Sequence, residues 1–227
     1  MIQSIQYWQL CLLCKTPGWH LNALCTECIQ RFILLPQPQC LQCAMPLSKA
    51  ISQKKCGACL IKAPHFDQTI AQFQYDPIMQ HCIHQMKFKG YSALAAHLGH
   101  TLGLHLKNTA ECNWSTLIPV PLHPKRWYER GFNQSLIIAQ NISTQINIPL
   151  QSNILIKTKN TIPVSLQRAS SKNQSVQGAF KLKKPMRGHI ALVDDLMTTG
   201  TTAHHIATLL KSNGALSVTV LVPVRVI

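Results

Sequence analysis

Acidic residues are scarce in this chain of 227 residues: 7 Asp and Glu face 22 Lys and Arg, a formal net charge of +15. From Leu117 onward only 3 acids remain against 13 bases, and two of those acids are the neighbours Asp194 and Asp195. A field this basic favours nucleic acid, phosphorylated ligands or an anionic membrane as partners. Long apolar runs are also missing. No stretch of 18 apolar residues occurs, which excludes a membrane-spanning helix. The first ten residues carry no basic cluster, so no secretory leader is expected and the cytosol is the expected compartment. There, cysteines serve more often as metal ligands or redox groups than as disulfides. The length suits one real core plus a small appendage.

Cysteine is what the N-terminal part has in excess. Eight of the ten lie in four Cys-x2-Cys pairs: Cys11/Cys14, Cys25/Cys28, Cys40/Cys43 and Cys56/Cys59, with gaps of 10, 11 and 12 residues between pairs. Two thiolates at this spacing fit one tight knuckle, and two knuckles complete a tetrahedral zinc site. A segment of this size buries too little core to fold without metal. Four pairs make two sites, holding one or two zinc ions in all. Three pairings exist, and the adjacent one is favoured: Cys11, Cys14, Cys25 and Cys28 on one ion, Cys40, Cys43, Cys56 and Cys59 on the other. An iron–sulfur site suits this regular spacing less well. Cys82 and Cys112 stand outside the pattern and read as small core residues, and His20 as a surface residue. Lys62-Ala63-Pro64 reads as a linker, giving a metal module over 1–62 and a second domain over 63–227.

The second domain alternates strand and helix patterns. Ile70–Tyr75 reads as a strand. Ile78, Met79, Cys82, Ile83 and Met86 recur at helical spacing, and Lys87-Phe88-Lys89-Gly90 ends that helix. Ser92 caps a second helix, in which Leu94, Leu98, Leu102 and Leu106 step by four and Gly99 and Gly103 permit close packing. Leu117–Val120 reads as a strand feeding a proline-shaped loop, Leu122 to Ser135. Lys125, Arg126 and Arg130 there interleave with Trp127 and Tyr128, the pattern that pairs phosphates and stacks bases of single-stranded nucleic acid. A helix follows from Asn133-Gln134. Residues 157–178 are polar and form a long loop inside a compact domain, usually functional or mobile. Lys87, at its helix end, joins the candidate anion-binding residues.

The most informative stretch is His189 to Thr202, HIALVDDLMTTGTT. A short apolar run reads as a buried parallel strand. It ends on Asp194-Asp195, then a loop of Thr198, Thr199, Gly200, Thr201 and Thr202, then a helix patterned on Ala203, Ile206, Ala207 and Leu210. Free N–H groups at a helix start bind phosphate, and the threonine hydroxyls add donors. Two carboxylates suit sugar hydroxyls or a hydrated Mg²⁺. Together they suggest a ligand with both diol and phosphate, as in ribose 5-phosphate. Val218–Val222 reads as a further buried strand.

VDDLMTTGTT resembles the phosphoribosyl-pyrophosphate (PRPP) motif of type I phosphoribosyltransferases. The resemblance implies an α/β domain with a Rossmann-like parallel sheet. It gives Asp194 and Asp195 the ribose hydroxyls and the catalytic place, directly or through Mg²⁺, and Thr198 to Thr202 the 5-phosphate. Lys125 and Arg126 resemble the pyrophosphate loop. The family closes a flexible loop over bound PRPP, which would bring in Arg168 or Lys172. The four cysteine pairs, Lys87-Phe88-Lys89, Pro119-Val120-Pro121-Leu122, Arg130-Gly131-Phe132-Asn133-Gln134 and the acid–threonine motif occur in the order seen in ComF/GntX-type proteins. That wider resemblance implies a zinc module joined to a phosphoribosyltransferase-like domain. It also implies a role in natural transformation: a cytoplasmic protein, peripheral at the inner membrane at most, that binds incoming single-stranded DNA beside DNA-uptake or recombination proteins. An active phosphoribosyltransferase on an unidentified acceptor, or a GntX-type metal or redox adaptor, are the alternative readings.

Overall fold

The computed structural model describes residues 7–20, 24–48, 54–109, 111–160 and 178–227. Two short antiparallel strands, β1 (Tyr7–Leu10) and β2 (Pro17–His20), are followed by two single-turn helices, α1 (Thr26–Gln30) and α2 (Gly57–Ile61). Then come β3 (Gln68–Gln74), α3 (Pro77–Phe88), α4 (Ser92–Thr109), β4 (Thr116–Pro119), α5 (Pro124–Arg130) and α6 (Gln134–Ile146). A narrow antiparallel ribbon, β5 (Leu155–Lys157) with β6 (Phe180–Leu182), precedes β7 (Gly188–Val193), β8 (Leu196–Met197), α7 (Thr201–Ser212) and β9 (Ala215–Arg225).

The main sheet has five strands, in the order β3-β9-β7-β4 with β8 also on β9, and every pairing is parallel. The expected α/β architecture is therefore present. Both faces are covered, and strand residues divide between them with period two. Leu117, Ala191, Val193 and Leu221 pack with α3, α4 and α6. Ile118, Ile190, Leu192, Val220 and Val222 pack with α7 and the ribbon.

Local chemistry sets the element ends. Asp76 accepts from the Met79 amide at 2.8 Å with Pro77 in the first turn, so α3 starts where proline costs least. Gly99 and Gly103 let α4 and α6 approach: a Cβ at Gly99 would lie 2.6 Å from the Ile138 carbonyl oxygen, and one at Gly103 would lie 2.8 Å from Gln145 Cγ.

Two elements differ from the sequence expectation. The loop after β4 contains a helix, α5. His123 caps it by accepting from the Lys125 amide, Pro124 fills the first turn, and Gly131 ends it at φ +78°. The prolines that suggested an irregular loop are a helix start. The polar stretch from residue 157 is flanked by β5 and β6, strands of three residues each, too short to show a period.

The cysteine-rich segment lies along the open edge of β3. The Leu35 amide donates to the Gln72 carbonyl at 2.8 Å, the Gln74 amide to the Ile33 carbonyl at 2.9 Å, and the Thr69 amide to the Leu41 carbonyl at 3.0 Å. Leu34 pairs antiparallel with Phe73. The edge that would otherwise offer unpaired backbone groups is thus covered.

Candidate phosphate and metal sites

β7 delivers Asp194 and Asp195 to the carboxyl end of the sheet, where ligands of open α/β folds bind. The Asp194 carboxylate accepts from the Ser135 hydroxyl at 3.0 Å and from the Asp195 amide at 2.9 Å. Burial first, then the charge of Asp195, push the Asp194 carboxyl up to about 7, against the pull of the Asp195 amide, Lys87 and Ser135. Asp195 is buried and pairs with Lys87 Nζ at 3.0 Å.

β8 then carries the chain to Thr198, Thr199 and Gly200. Gly200 sits at φ +75°, and a Cβ there would lie 2.7 Å from Met197 Cε and 3.3 Å from the Phe66 ring. The turn is left-handed and tight against Phe66, which is why glycine stands there. The Thr199 and Thr201 hydroxyls are 2.8 Å apart. α7 starts with no side-chain cap, so its first N–H groups are not taken by a capping side chain. Asp194, Thr198, Gly200, Thr201 and Thr202 line one small pocket.

Cations ring the acid pair. Lys87 reaches it from α3. Arg130, at the end of α5, lies over the Phe88 ring at 5.8 Å and donates to Gln134 at 3.2 Å, and Asp195 is the acid that most favours its charge. Lys157 on β5 lies over the Phe180 ring at 5.6 Å, with Asp194 as its opposing charge and Arg126 and Arg130 as like-charged neighbours. Burial lowers the pKa of both Arg130 and Lys157. Arg126 bonds Glu129 at 3.0 Å. The fold thus brings Lys87 and Arg130 to the acids, sets Arg126 near Arg130 and Lys157 with Glu129 as its partner, and leaves Lys125 exposed on α5. Arg168 and Lys172 lie outside the described residues. Lys157, Ser135 and Arg225 belong to this neighbourhood and carried no sequence signal of their own. Lys157 was one cation among several in a polar stretch.

A second cleft, about 390 Å³, opens beside α5 and is lined by Pro121, Trp127, Asn133, Asn153, Lys157 and Lys183, among others. Trp127 is 54% and Tyr128 87% exposed.

The cysteines form two groups, Cys11, Cys14, Cys25, Cys28 and Cys40, Cys43, Cys56, Cys59, with the ligand atoms of each group all within 4.8 Å of one another. The adjacent pairing expected from the sequence is the one the fold makes. Each group fits zinc: four thiols converge, and an amide points at a sulfur in each, Cys25 N to Cys11 Sγ at 3.4 Å and Cys56 N to Cys40 Sγ at 3.3 Å. The Thr16 side chain and amide hold the exposed Cys14 thiol down at about 6. Burial works against Cys40, yet the amides of Cys56, Cys43 and Gln42 bring its thiol down to about 7. By contrast, burial pushes Cys82, which stands outside both groups, up to about 12. Among the described residues no helix is long and apolar enough to cross a membrane.

No family model matches the chain. Among solved structures it resembles the glutamine PRPP amidotransferase of B. subtilis (22% identity, TM-score 0.39, covering 57% of this chain and 26% of that one). It also resembles a purine phosphoribosyltransferase of Pyrococcus horikoshii (15% identity, TM-score 0.35, covering 59% and 86%). Sequence relatives are more similar. The DNA utilization protein YhgH of Shigella flexneri is 33% identical over 220 residues, 93% of this chain and 94% of that protein. Competence protein F of Haemophilus influenzae is 29% identical over 202 residues, 85% and 86% of the two chains. Competence protein ComFC of Bacillus subtilis is 27% identical over 153 residues, 65% and 59%. With both cysteine clusters and the acid–threonine unit in place and relatives matching across nearly its whole length, the chain belongs to the ComF family.

Proposed function

We propose that the Asp194–Thr202 unit binds a ribose phosphate of the PRPP type, and that the basic face beside it handles single-stranded DNA during uptake. The observation that carries the reading is the pairing of strand-end acids with a helix start lacking a side-chain cap one loop away, the acids ringed by Lys87, Arg130 and Lys157. The acids suit the ribose diol, the threonine loop the 5-phosphate, and the cations a pyrophosphate group. Asp194 and Asp195 would hold Mg²⁺ with the pyrophosphate, and the ion would supply charge neutralisation there.

The DNA half of the reading rests on the exposed Trp127 and Tyr128, the adjoining cleft with Lys157 and Lys183, and the excess of basic residues. The names of the relatives, DNA utilization and competence proteins, point the same way. The setting is the cytoplasmic side of DNA uptake, with uptake or recombination proteins as neighbours. One observation favours a second reading, phosphoribosyl transfer: a carboxyl held near 7 at Asp194 can take or release a proton at neutral pH.

Calorimetric titration of PRPP–Mg²⁺ into zinc-loaded protein, beside an Asp194→Ala/Asp195→Ala variant, tests the ligand reading. Binding that the variant loses supports it. A folded wild type that takes up no PRPP overturns it. Oligothymidylate binding, measured over a salt series, tests the DNA reading separately: it should weaken steeply with salt and weaken further in Trp127→Ala. Absence of binding at low salt overturns that half.

A further inference from the structure

Arg225 closes β9 with a guanidinium that is only 5% exposed. Its Nε donates to the Cys43 carbonyl at 2.9 Å. One terminal nitrogen donates to the Met197 carbonyl at 3.1 Å and also to the carbonyls of Thr198 and Val226. Cys43 belongs to the second cysteine group, and Met197 and Thr198 lead into the phosphate-type loop. One side chain therefore joins a metal knuckle to a ligand loop. The backbone supports it: Met197 pairs with Arg225 in the sheet, and the Val226 amide donates to the Met197 carbonyl at 3.0 Å.

Its charge is the second observation. The ion pairs among the described residues are Lys87–Asp195, Arg126–Glu129 and Lys211–Asp67, so Arg225 has no carboxylate partner there. A buried charge is costly unless it is compensated. The neighbours that favour this one are Cys43, Cys56 and Cys59. Four thiolates around one divalent zinc leave a net charge of about −2, so a loaded second cluster supplies the counter-charge.

The third observation is space. A cleft of about 480 Å³ separates the two structures, with Cys43, Cys56 and Cys59 on one wall and Thr199, Gly200 and Thr201 on the other. Arg225 and Phe66 line it too and join the walls.

We infer that Arg225 is a positioning residue through which metal in the second cysteine cluster holds the Met197–Thr202 loop in shape, so that phosphate binds strongly there only when this cluster is loaded. The ligand half of this inference rests on the phosphate reading of the loop; the mechanical half stands without it.

The test uses the full chain, zinc-loaded, as wild type, Arg225→Met and Arg225→Lys. Affinity for ribose 5-phosphate is read by calorimetry, and hydrogen exchange is read at the amides of residues 198–202, with α4 as an internal reference. Arg225→Met should weaken ribose 5-phosphate binding about tenfold or more and speed exchange in the loop while leaving α4 unchanged. Stripping zinc from the second cluster of the wild type should speed the same amides and have little further effect in Arg225→Met, because the two changes act on one connection. Arg225→Lys, which keeps the charge and loses the fork of donors, should fall between and serves if the methionine variant does not fold. Loop exchange that responds to zinc equally in wild type and variants overturns the inference, as does wild-type exchange in Arg225→Met. If the wild type binds no ribose 5-phosphate, the ligand reading falls, and the exchange comparison alone decides whether the link exists.

Discussion

The first and second cysteine clusters are one design used twice. In each, a residue four places after the first cysteine takes a left-handed turn, Lys15 at φ +62° and Ala44 at φ +57°. In each, a single-turn helix starts just after the third cysteine, with Cys25 at the N-cap position of α1 and Cys56 at that of α2. The Sγ contacts across the pairs match too, 3.6 Å for Cys14–Cys25 and 3.5 Å for Cys43–Cys56. Their surroundings are different. Cys11 and Cys28 are buried in the core shared with Phe32, α3 and α4. The second cluster faces the other side of the sheet, where Ala44 packs with Phe66 and α7 and where the phosphate-type loop lies. The turn residue records the difference: exposed lysine in one copy, fully buried alanine in the other. The same cysteine knuckle sits in the core in one setting and lines the wall of an open cleft in the other.

The largest effect that would sharpen this contrast is on stability. Cys28→Ser leaves a metal site incomplete inside the main core and should lower the thermal midpoint by about 10 °C or more. Cys59→Ser, beside the open cleft, should lower it less. Thermal melts of the two variants at equal zinc check this, and a larger loss in Cys59→Ser would break the contrast. Next, Gly99→Val forces a side chain into the Ile138 backbone on the helical face and should destabilise by about 2–3 kcal/mol in urea titrations. Ribose 5-phosphate binding by the folded variant should stay as in wild type. Gly200→Ala does the reverse: a strained left-handed position costs about 1–2 kcal/mol, while the contact with Met197 Cε distorts the loop and should reduce ribose 5-phosphate affinity about tenfold or more.

A further effect concerns pH. Asp194 titrates near 7 when folded and near 4 when unfolded. Between those values the folded chain keeps a proton that the unfolded chain has released. The contribution of this group to stability therefore falls as pH rises from about 4 to about 7 and then levels off. Asp194→Asn should flatten that part of the stability curve relative to wild type, and equal slopes in the two proteins would contradict the placement of Asp194.

What could be read in the sequence was local. The β7–acids–loop–α7 unit lies within Gly188–Ser212, and its apolar run, acid pair and glycine announce it. Each Cys-x2-Cys pair is a four-residue signal; which pairs share a site is not, because it is decided by how the knuckles fold together. Gly99 and Gly103 stood out because they step by four directly beside the stripe of Leu94, Leu98, Leu102 and Leu106. What escaped depended on distance along the chain. Ser135 meets Asp194 across 59 positions, and Arg225 meets Cys43 across 182. Arg225 also ends an apolar strand, where an arginine reads as the point of return to solvent. The duplicated geometry of the cysteine clusters was hidden because the turn residue is lysine in one copy and alanine in the other. The segment expected to act as a linker is held in place: the Gln42 side chain donates to the carbonyls of Pro64 and Phe66 at 3.0 Å each.

The division of labour between the clusters is tested most directly by titrating PRPP–Mg²⁺ into two folded variants that each lack one metal site, Cys14→Ser/Cys25→Ser and Cys43→Ser/Cys56→Ser, with zinc counted in the same samples. The first variant should bind within about threefold of wild type and the second at least about tenfold more weakly. Equal losses in the two variants, or a larger loss in the first, would contradict the account.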